Sequence, residues 1–393
     1  MRVLHLTTEF PPVIYGGLGT AVGGWVTGSA RSGLTVGVLL VEGPLGDPEG
    51  QSTIYGDVRP KRVQTEEVIE RDGVTFFQAS SANAVQAGLE AVRRWRPDII
   101  HLHTAMIWHV AAAIRAHTNT PLVYHVHSVD RAEYELGHEP NQWLAQAVEQ
   151  GNAIRSADRL IAISESEREL LTLYYPGDRD RVRVVGNGIE DTAAARRSAT
   201  RPRDTPSPLV LYSGRLVERK GIQELLGAIP EVLAAEPRAR FVLAGGPPFM
   251  EPAEVERQWL PPELTPRRGQ IHFTGWLAPS QVEAWYSAAD VLVVPSRYEP
   301  FGMVVLEGML HSLPIVASAI GGPAEILRDD RTGLLVPPRN PSVLARALIR
   351  LVKDVRTRVR IGAAAARDVR RRWTWPQRVQ HMRAVYRELT AAA

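Results

Sequence analysis

The sequence predicts an α/β protein of two domains, each a doubly wound parallel sheet with helices on both faces, with the two domains facing a central cleft. The chain has 393 residues, a length typical of two or three domains. Short apolar runs alternate with helical stretches along it, and these runs lack the polar alternation of half-exposed strands. The pattern stops once, near the middle of the chain, and then begins again.

The first half of the chain has seven predicted strands, with helical stretches between most of them. These strands cover residues 3–6, 34–41, 74–79, 98–104, 121–128, 159–164 and 182–186. Buried strands that alternate with helices form parallel sheets covered on both faces. We therefore predict a first domain over residues 1–191.

Residues 192–208 are rich in Pro, Ser, Thr and Arg and lack apolar periodicity, which is typical of an interdomain linker. The alternation then restarts, with strands predicted at residues 209–213, 240–244, 271–274, 291–295, 314–319 and 333–336. The predicted helices cover residues 221–235, 279–288, 302–311, 341–355 and 356–372. We predict a second domain over residues 209–373 and a closing helix within residues 374–393.

The composition excludes several classes of protein. Apolar residues make up 44% and charged residues 23%, a globular balance, and the absence of cysteine excludes disulfides and thiolate sites. The net charge of +3 comes without a dense basic run, so we expect no nucleic-acid partner. No apolar run approaches the roughly 18 residues that span a bilayer, so we expect a cytoplasmic protein, with peripheral membrane association left open.

A long glycine-rich loop, residues 7–19, follows the first predicted strand and leads into a helix. Gly17 and Gly19 resemble the start of a dinucleotide-binding fingerprint, but Val22 stands where its third glycine belongs, and the loop is longer than that tight turn. The sequence supports two interpretations of this loop equally well. The loop either offers bare helix N-terminal amides to a phosphate, or only lets helix and strand pack closely.

Two His-x-His pairs lie on successive predicted strands, His101 with His103 and His125 with His127. Each pair shares one face of its strand, which raises the alternative of a metal hydrolase. Such a site also requires ligands from other strand ends, and the later strands end in Ser or Gly, so we predict no metal. We expect His101 and His125 to be hydrogen-bonded near the edge of the sheet. His103 and His127 would lie nearer the cleft, and His127 would bond a substrate hydroxyl or help protonate a leaving group.

Two cations flank the turn after the first strand of the second domain. Arg215 and Lys220 lie in the run GRLVERKG, between that strand and a helix. Two cations beside a helix N-terminus can hold a diphosphate, and Lys220 is one of three lysines in the chain. The alternative is a pair of solvated surface cations.

A second candidate element follows the strand that ends near residue 295. A helix starts near Gly302, where the amides of Gly302 and Met303 would face an anion. Glu307 lies one turn further along an otherwise apolar helix face, where a carboxylate is costly unless it is bonded, and ribose hydroxyls would satisfy it. Glu299 stays in the loop, placed to meet a sugar ring. Two carboxylates can also act as acid and base in a glycosidase, but the mid-helix position of Glu307 favours binding.

These segments together resemble family 4 of the retaining glycosyltransferases, whose GT-B fold has two Rossmann-like domains. The resemblance covers nearly the whole chain. Its motifs are EFPPVIYGGLG, the VHS around His127, VVGNGIE, GRLVERKG, FVLAGGP, FTGW, EPFGMVVLE and WTWPQRVQHMRAVYREL. The last motif is similar to the closing helix that crosses back to the first domain in this fold. The opening loop and the histidine segments are similar to glycogen and starch synthases.

The resemblance implies that Arg215 and Lys220 hold the donor diphosphate, and that Glu307 binds the ribose. Glu299 would hold the transferred sugar together with the start of the following helix. The other donor-binding residues implied there are Phe301, Gly302, Met303 and Val304, with Gly17 on the opposite side.

In the first domain, the resemblance implies that Gly16, Gly17 and Leu18 approach the phosphates or the acceptor, near His103. His127 matches the family's histidine beside the reacting sugar. The catalytic residues would be His127, Glu299, Arg215 and Lys220. The family uses neither a metal nor a cofactor, and its retaining stereochemistry is explained by same-face attack with the leaving diphosphate as base.

We therefore expect a retaining hexosyltransferase that moves a hexose, glucose first among the candidates, from an ADP- or UDP-linked donor to a carbohydrate or other hydroxyl acceptor. The second domain would bind the nucleotide sugar and the first domain the acceptor. The alternatives are a sugar-nucleotide epimerase of the same fold and a metal-dependent hydrolase that uses the His-x-His pairs.

The run Asp178-Arg179-Asp180 matches the short Asp-x-Asp pattern of metal-dependent sugar transferases. It precedes a predicted strand, so it would lie at the end of the sheet away from the ligands, and arginines flank it. We interpret it as a solvated turn.

Overall fold

The computed structural model describes residues 1–11, 17–41, 69–71, 73–137, 142–192, 195–196, 207–247 and 250–391. The chain divides into two compact units. The first consists of Met1–Glu135, Pro140–Gly188 and Trp375–Ala393, and the second of Leu136–Glu139 and Ile189–Thr374.

The first unit is built on an eight-stranded sheet with the order β3-β4-β2-β1-β5-β6-β7-β8. The strands are β1 (Arg2–Thr7), β2 (Thr35–Val41), β3 (Ile69–Arg71), β4 (Val74–Ala79), β5 (Ile99–Leu102), β6 (Leu122–Val126), β7 (Arg159–Ala162) and β8 (Val182–Val184). All neighbours pair in parallel except β3 with β4. The strand order reverses at β1. Because parallel crossovers are right-handed, this reversal places helices on both faces of the sheet.

The helices of the first unit alternate with these strands. They are α1 (Gly17–Arg31), α2 (Ala84–Trp95), α3 (Trp108–Thr118), α4 (Asp130–Gly137), α5 (Gln142–Ser156) and α6 (Glu165–Tyr174). The closing helix Trp375–Thr390 also belongs to this unit, where it packs on α1. Its buried Trp375 lies against Gly24, Gly28 and Gly188, where side chains would collide with the indole.

The second unit holds a six-stranded parallel sheet with the order β11-β10-β9-β12-β13-β14. The strands are β9 (Leu209–Ser213), β10 (Arg240–Ala244), β11 (Ile271–Gly275), β12 (Val291–Val294), β13 (Ile315–Ser318) and β14 (Leu334–Val336). Here the strand order reverses between β9 and β12, which are direct neighbours. Such a reversal opens a crevice at the carboxyl ends of the two strands, where α/β proteins bind ligands.

The helices of the second unit are α7 (Ile222–Ala235), α8 (Pro252–Trp259), α9 (Pro279–Ala288), α10 (Met303–Leu310), α11 (Gly321–Ile326), α12 (Pro341–Lys353) and α13 (Val355–Arg372), so the closing helix Trp375–Thr390 is α14. The buried core joins the apolar faces of α7 and α12 to strands β9, β10 and β12. None of the helices in the described ranges is both long and apolar enough to cross a membrane.

The predicted fold class is confirmed in each unit, and every predicted strand is present. Four predicted strands of the first unit are two residues too long at their carboxyl ends, because β5 stops at Leu102, β6 at Val126, β7 at Ala162 and β8 at Val184. After β5, the hydroxyl of Thr104 accepts a hydrogen bond from the amide of Met106 and starts a 3-10 turn, which takes the chain out of the sheet. His103 and His127 are therefore the first residues beyond their strands. The predicted linker lies mostly outside the described residues.

Candidate active site

The carboxyl ends of β9 and β12 carry two loops that the structure brings together in the second unit. One loop, residues 214–221, leads from β9 to α7, and the other, residues 295–302, leads from β12 to α10. Backbone hydrogen bonds join them, because the amides of Arg297 and Tyr298 both donate to the carbonyl of Arg219, at 2.8 and 3.3 Å. The predicted cation loop and the predicted carboxylate loop therefore form one site.

A close backbone approach fixes the geometry between these loops. Gly221 has φ +71°, and a Cβ there would lie 1.9 Å from the carbonyl oxygen of Pro295, so only glycine fits. The guanidinium of Arg297 reinforces the junction by donating to Glu224 at 2.7 Å and to Gln223 at 2.9 Å. Arg297 is a supporting residue that the sequence alone did not identify, because its partners lie on the helix after the other loop.

Lys220 and Glu299 form an ion pair at the centre of the site, with Nζ 2.6 Å from Oε2. Their side chains are only 19% and 8% exposed, and the hydroxyl of Ser296 donates to the same carboxylate oxygen at 3.2 Å. Burial by itself raises the pKa of Glu299, but the Lys220 ammonium, helped by Arg219 and the Ser296 hydroxyl, outweighs it and holds the pKa below its ordinary value. Burial lowers the pKa of Lys220, and Glu299 opposes that shift.

Arg215 lies at the mouth of the same loop with its side chain exposed. The buried Tyr212 hydroxyl donates to the Arg215 carbonyl at 2.7 Å, which holds the backbone at that point. The rest of the loop is fixed by close packing, since a Cβ at Gly245 would lie 1.9 Å from the carbonyl oxygen of Gly214. Two cations thus lie at one strand end: Lys220 is mostly buried beside Glu299, and Arg215 is exposed on a fixed backbone.

Glu307 is held by Tyr286, whose hydroxyl donates to Oε2 at 2.6 Å. Burial raises the pKa of Glu307, and the bond from Tyr286 opposes the rise. The ring of Tyr286 stacks on His311, with centroids 5.5 Å apart. The predicted mid-helix carboxylate therefore has one bonded oxygen, supplied by a tyrosine on α9 that the sequence did not single out.

The glycines at the start of α11 pack against the backbone of the loop that leads into α10. Gly302 caps α10 with φ +90°, a conformation that favours glycine. The amide of Gly322 donates to the Glu299 carbonyl at 3.1 Å, and a Cβ at Gly322 would lie 2.0 Å from the Phe301 carbonyl oxygen. Phe301 is buried edge-on against Trp373, whereas Met303 and Val304 are half-buried in the first turn of the helix.

In the first unit, five histidines form a stacked array on strands β1, β5 and β6 and on the residues that directly follow β5 and β6. The array consists of His5, His101, His103, His125 and His127, of which all but the half-buried His127 are buried. Neighbouring rings lie nearly parallel, with centroids 4.3 Å apart for His101 with His103 and for His125 with His127. His5 was missed from the sequence because it has no His-x-His partner, and only the pairing of β1 with β5 brings it alongside His101.

Hydrogen bonds divide the array into two chains. In one, Nδ1 of His5 lies 2.8 Å from Nε2 of His103, and Nδ1 of His103 lies 3.1 Å from Nε2 of His127. In the other, the hydroxyl of Tyr386 lies 2.5 Å from Nδ1 of His101, whose Nε2 lies 3.2 Å from Nδ1 of His125. Burial lowers the pKa of His5 and His127 to about 3, and it lowers the pKa of the other three rings well below the ordinary value.

Two groups in this array bring three nitrogens within 4.8 Å of one another and so could hold a metal ion. They are His5, His101, His103 and His103, His125, His127. A metal requires ring lone pairs that converge on one point, but the lone pairs of stacked rings run side by side. The donor set thus fits a hydrogen-bonded array better than a chelating site, and the absence of a metal remains a prediction.

The glycine loop is described only in part. Gly16 lies outside the described residues. Gly17 is exposed at the start of α1, and a Cβ there would meet none of the described residues within 4 Å, while Leu18 is half-buried. The packing role falls instead on Gly24 and Gly28, against Trp375. Asp178 precedes a 3-10 turn before β8, so the predicted turn is present, but its side chain is only 19% exposed and pairs with Arg181 rather than being solvated.

Comparison with known sequences gives two family matches that divide the chain between them. The model described as Glycosyltransferase Family 4 matches residues 15–193, and the model described as Glycosyl transferases group 1 matches residues 207–354. The chain is 30% identical to glycogen synthase of Mycobacterium tuberculosis over 95% of its length and 92% of that protein. It is 32% identical to D-inositol 3-phosphate glycosyltransferase of Streptomyces bingchenggensis, over 74% of this chain and 66% of that one.

Solved structures share the fold over the full length. Sucrose-phosphate synthase of Thermosynechococcus elongatus aligns with a TM-score of 0.76 at 24% identity, covering 100% of both chains. The catalytic domain of starch synthase IV of Arabidopsis thaliana, bound to ADP and acarbose, aligns with a TM-score of 0.71 at 15% identity, covering 100% of this chain and 99% of that one.

Proposed function

The chain belongs to the family 4 glycosyltransferases of the GT-B fold, and we propose that it transfers a hexose, glucose in the first instance, from a nucleotide-diphosphate sugar to a hydroxyl acceptor with retention of configuration. Membership is shown by the glycogen synthase relative, which is 30% identical over 92% of its length. The comparisons do not favour a sugar-nucleotide epimerase or a metal-dependent hydrolase.

The observation that carries the proposal is the pairing of Lys220 with Glu299 at the strand-order reversal between β9 and β12. A nucleoside diphosphate brings two kinds of group, anionic phosphates and neutral hydroxyls. Lys220 and Arg215 would bind the phosphates, and Glu299 would turn to the hydroxyls of the transferred sugar. The amides at the start of α10, from Gly302 to Val304, would add hydrogen bonds to the same donor.

Glu307 would bind the ribose of the donor. The hydroxyl of Tyr286 donates a hydrogen bond to one carboxylate oxygen at 2.6 Å and so orients the group. The other oxygen would accept hydrogen bonds from the ribose diol. Because Glu307 is half-buried, the hydrogen bonds from the ribose would form partly shielded from water, where they contribute more than in bulk water.

His127 would act on the substrate from the first unit, at the end of β6. Its ring is neutral at physiological pH, because burial lowers its pKa to about 3, so we assign it a hydrogen-bonding role rather than that of a resident cation. Gly16, Gly17 and Leu18 would approach the phosphates or the acceptor from the start of α1.

In the proposed reaction, the bond from the sugar C1 to the diphosphate oxygen breaks as the acceptor oxygen attacks C1 on the same face. The acceptor proton passes to the departing diphosphate oxygen, so that no protein base is required. Charge accumulates on the diphosphate as it leaves, and Arg215, Lys220 and the helix amides would stabilise that charge. No step requires a metal ion.

Two acceptor classes follow from the relatives. Glycogen synthase and starch synthase are named for α-glucans, and the starch synthase structure holds ADP with acarbose. The second relative is named for inositol 3-phosphate. We propose a glucan acceptor first, because the glycogen synthase match spans nearly the whole of both chains.

The test is nucleotide release by the purified protein in EDTA. ADP-glucose, UDP-glucose, UDP-N-acetylglucosamine and GDP-mannose are supplied in turn, each with a maltooligosaccharide, with inositol 3-phosphate and with no acceptor. We expect release from a glucose donor that the maltooligosaccharide stimulates. Stimulation by inositol 3-phosphate alone would show that the acceptor is inositol 3-phosphate and not a glucan. Release that occurs only without EDTA would refute the metal-independent mechanism.

A further inference from the structure

The hydrogen-bonded chain His5–His103–His127 couples the proton positions of its three rings. All three are neutral at physiological pH, since burial lowers the pKa of His5 and His127 to about 3 and that of His103 well below its ordinary value. A neutral imidazole has one N–H donor and one bare nitrogen acceptor. In each of the two contacts of this hydrogen-bonded chain, at 2.8 and 3.1 Å, one ring must therefore donate its N–H and the other must accept with its bare nitrogen.

Only two proton arrangements satisfy both contacts. If His103 carries its proton on Nδ1, it donates to His127, and His5 must donate from Nδ1 to His103. His127 then carries its own proton on Nδ1. If His103 instead carries its proton on Nε2, all three rings are reversed, and Nδ1 of His127 is bare. The tautomer of His127 is thus tied to that of a ring two hydrogen bonds away.

The His5 end of this hydrogen-bonded chain decides between the two arrangements. Nε2 of His5 is buried and has no hydrogen-bond partner among the described residues. A buried N–H donor without an acceptor is rarer in proteins than an acceptor with an unfilled lone pair. The arrangement that leaves Nε2 of His5 bare is the one in which His127 carries its proton on Nδ1.

We propose that His103 and His5 are positioning residues that fix His127 as the Nδ1–H tautomer, so that its Nδ1–H is held ready to donate a hydrogen bond to the substrate. Nδ1 of His127 makes no hydrogen bond with any described residue, which leaves it to a ligand. The identity of that substrate rests on the proposed glycosyl transfer, but the tautomer does not.

The other hydrogen-bonded chain of the array, Tyr386–His101–His125, provides a matched control. Tyr386, His101 and His125 share the same stack and the same burial, yet none of them is hydrogen-bonded to His127. Tyr386→Phe removes one buried hydrogen bond of the array and leaves the His5–His103–His127 chain untouched. It separates an effect on the tautomer of His127 from a general loosening of the stack.

The direct test is nuclear magnetic resonance of the full chain labelled with 15N in its histidine rings, with the His127 signals assigned by their loss in His127→Asn. We expect wild-type His127 to show a protonated Nδ1 and a bare Nε2 at neutral pH, and Tyr386→Phe to show the same. In His103→Leu the Nε2–H form should gain population. A wild-type His127 protonated on Nε2, or one unchanged by His103→Leu, would overturn the proposal.

Turnover gives a second readout. His103→Leu should lower kcat roughly tenfold, the effect of losing one well-placed hydrogen bond, with little change in the donor KM. His103→Asn, whose side chain keeps a polar atom near the former Nδ1, should recover part of the loss. Equal losses in both variants would contradict a positioning role. If no donor is turned over at all, the proposed function fails, and the ring spectra still decide the tautomer. Zinc retained at one equivalent after dialysis against chelator would overturn the hydrogen-bonded array itself.

Discussion

Lys220 and Glu299 form a mostly buried ion pair, and a gain in folding stability does not explain its presence. A buried ion pair contributes little net stability, because the desolvation of both groups offsets their attraction. Here the two side chains are 19% and 8% exposed, and they lie at the strand-order reversal where α/β proteins bind ligands. The pair therefore fits the proposed donor site, in which each group would be the other's partner until the ligand binds.

Lys220→Met should lower kcat by about 100-fold or more, because one cation that stabilises the leaving diphosphate is lost. It should also destabilise the protein by on the order of 2–3 kcal/mol, since Glu299 is left buried and unpaired. Adding Glu299→Gln should restore most of the stability and none of the turnover. Denaturant unfolding and steady-state kinetics measure both effects, with the exposed Lys353→Met as the control. Recovery of turnover in the double variant would contradict the assigned role.

Glu299 and Glu307 should give opposite pH dependences of stability. Glu299 has a lowered pKa when folded, so its contribution is present above the unfolded value near 4.5 and is lost as the pH falls below it. Glu307 has a raised pKa when folded, so it destabilises the protein as the pH rises from 4.5 through the folded pKa.

Glu307→Gln should therefore be more stable than wild type at pH 8, with the difference vanishing toward pH 4. The same change should raise the donor KM about tenfold, since hydrogen bonds to a charged group are replaced by neutral ones. Thermal unfolding across pH and donor titration test this pair of effects. A variant that is less stable than wild type at pH 8 would show that Glu307 is a structural residue.

At the level of elements, helix α1 uses its glycines in two different ways. Gly24 and Gly28 form a groove for the indole of Trp375, so that α14 can pack closely on α1. Gly17 lies at the start of the helix, and no atom of the described residues would lie within 4 Å of a Cβ there. The two interpretations of the glycine-rich opening thus apply to different residues, with packing assigned to the helix interior and ligand approach proposed for its N-terminus.

Gly24→Ala should destabilise the protein by about 2–3 kcal/mol, because a Cβ there would lie 1.9 Å from the Trp375 ring. Gly17→Ala should leave stability unchanged or raise it slightly, while lowering turnover if a ligand approaches the backbone there. Urea unfolding and the nucleotide-release assay on the two variants make the comparison. Full activity in Gly17→Ala would remove that residue from the proposed site.

The sequence predicts the elements well where apolar runs are long and poorly where they are short. Strand β3 has only three residues, with charges at Glu70 and Arg71, and α8 begins with Pro252 and is rich in charge, so neither carries a strong periodic signal. The extra length predicted for β5 and β6 has another cause, since polar residues after a strand resemble its continuation until a cap such as Thr104 is seen.

The site was predictable residue by residue but not as an arrangement. Arg215, Lys220, Glu299 and Glu307 follow from charges placed after strands or inside an apolar helix. The bond from Lys220 to Glu299 joins positions 79 apart and depends on which strands are neighbours. His5, Tyr286 and Arg297 carry no local signal, because each acquires its role only through a partner on a different element.

At the level of the whole molecule, each unit carries its own strand-order reversal with polar groups at the strand ends. The two sets of groups differ in chemistry, with cations and carboxylates in the second unit and neutral imidazoles in the first. This difference matches a division of labour in which the second unit binds the charged donor.

Hydrogen exchange of the full chain should locate the nucleotide in the second unit. UDP or ADP at saturation should slow exchange in residues 214–221 and 296–304 and leave residues 105–118 of the first unit unchanged. Binding to the native state also raises the free energy of unfolding, by about 2.7 kcal/mol at 100 times Kd. Slowing confined to the first unit would reverse the assignment of donor and acceptor.

The most direct test of the central claim is the anomeric configuration of the product. The protein is incubated in EDTA with ADP-glucose or UDP-glucose labelled with 13C at C1, together with a maltooligosaccharide, and the new glycosidic signal is followed as nucleotide is released. The account predicts an α-linked glucose formed from the α-linked donor in wild type and strongly reduced in Lys220→Met. A β-linked product, or free glucose with no transfer, would contradict it.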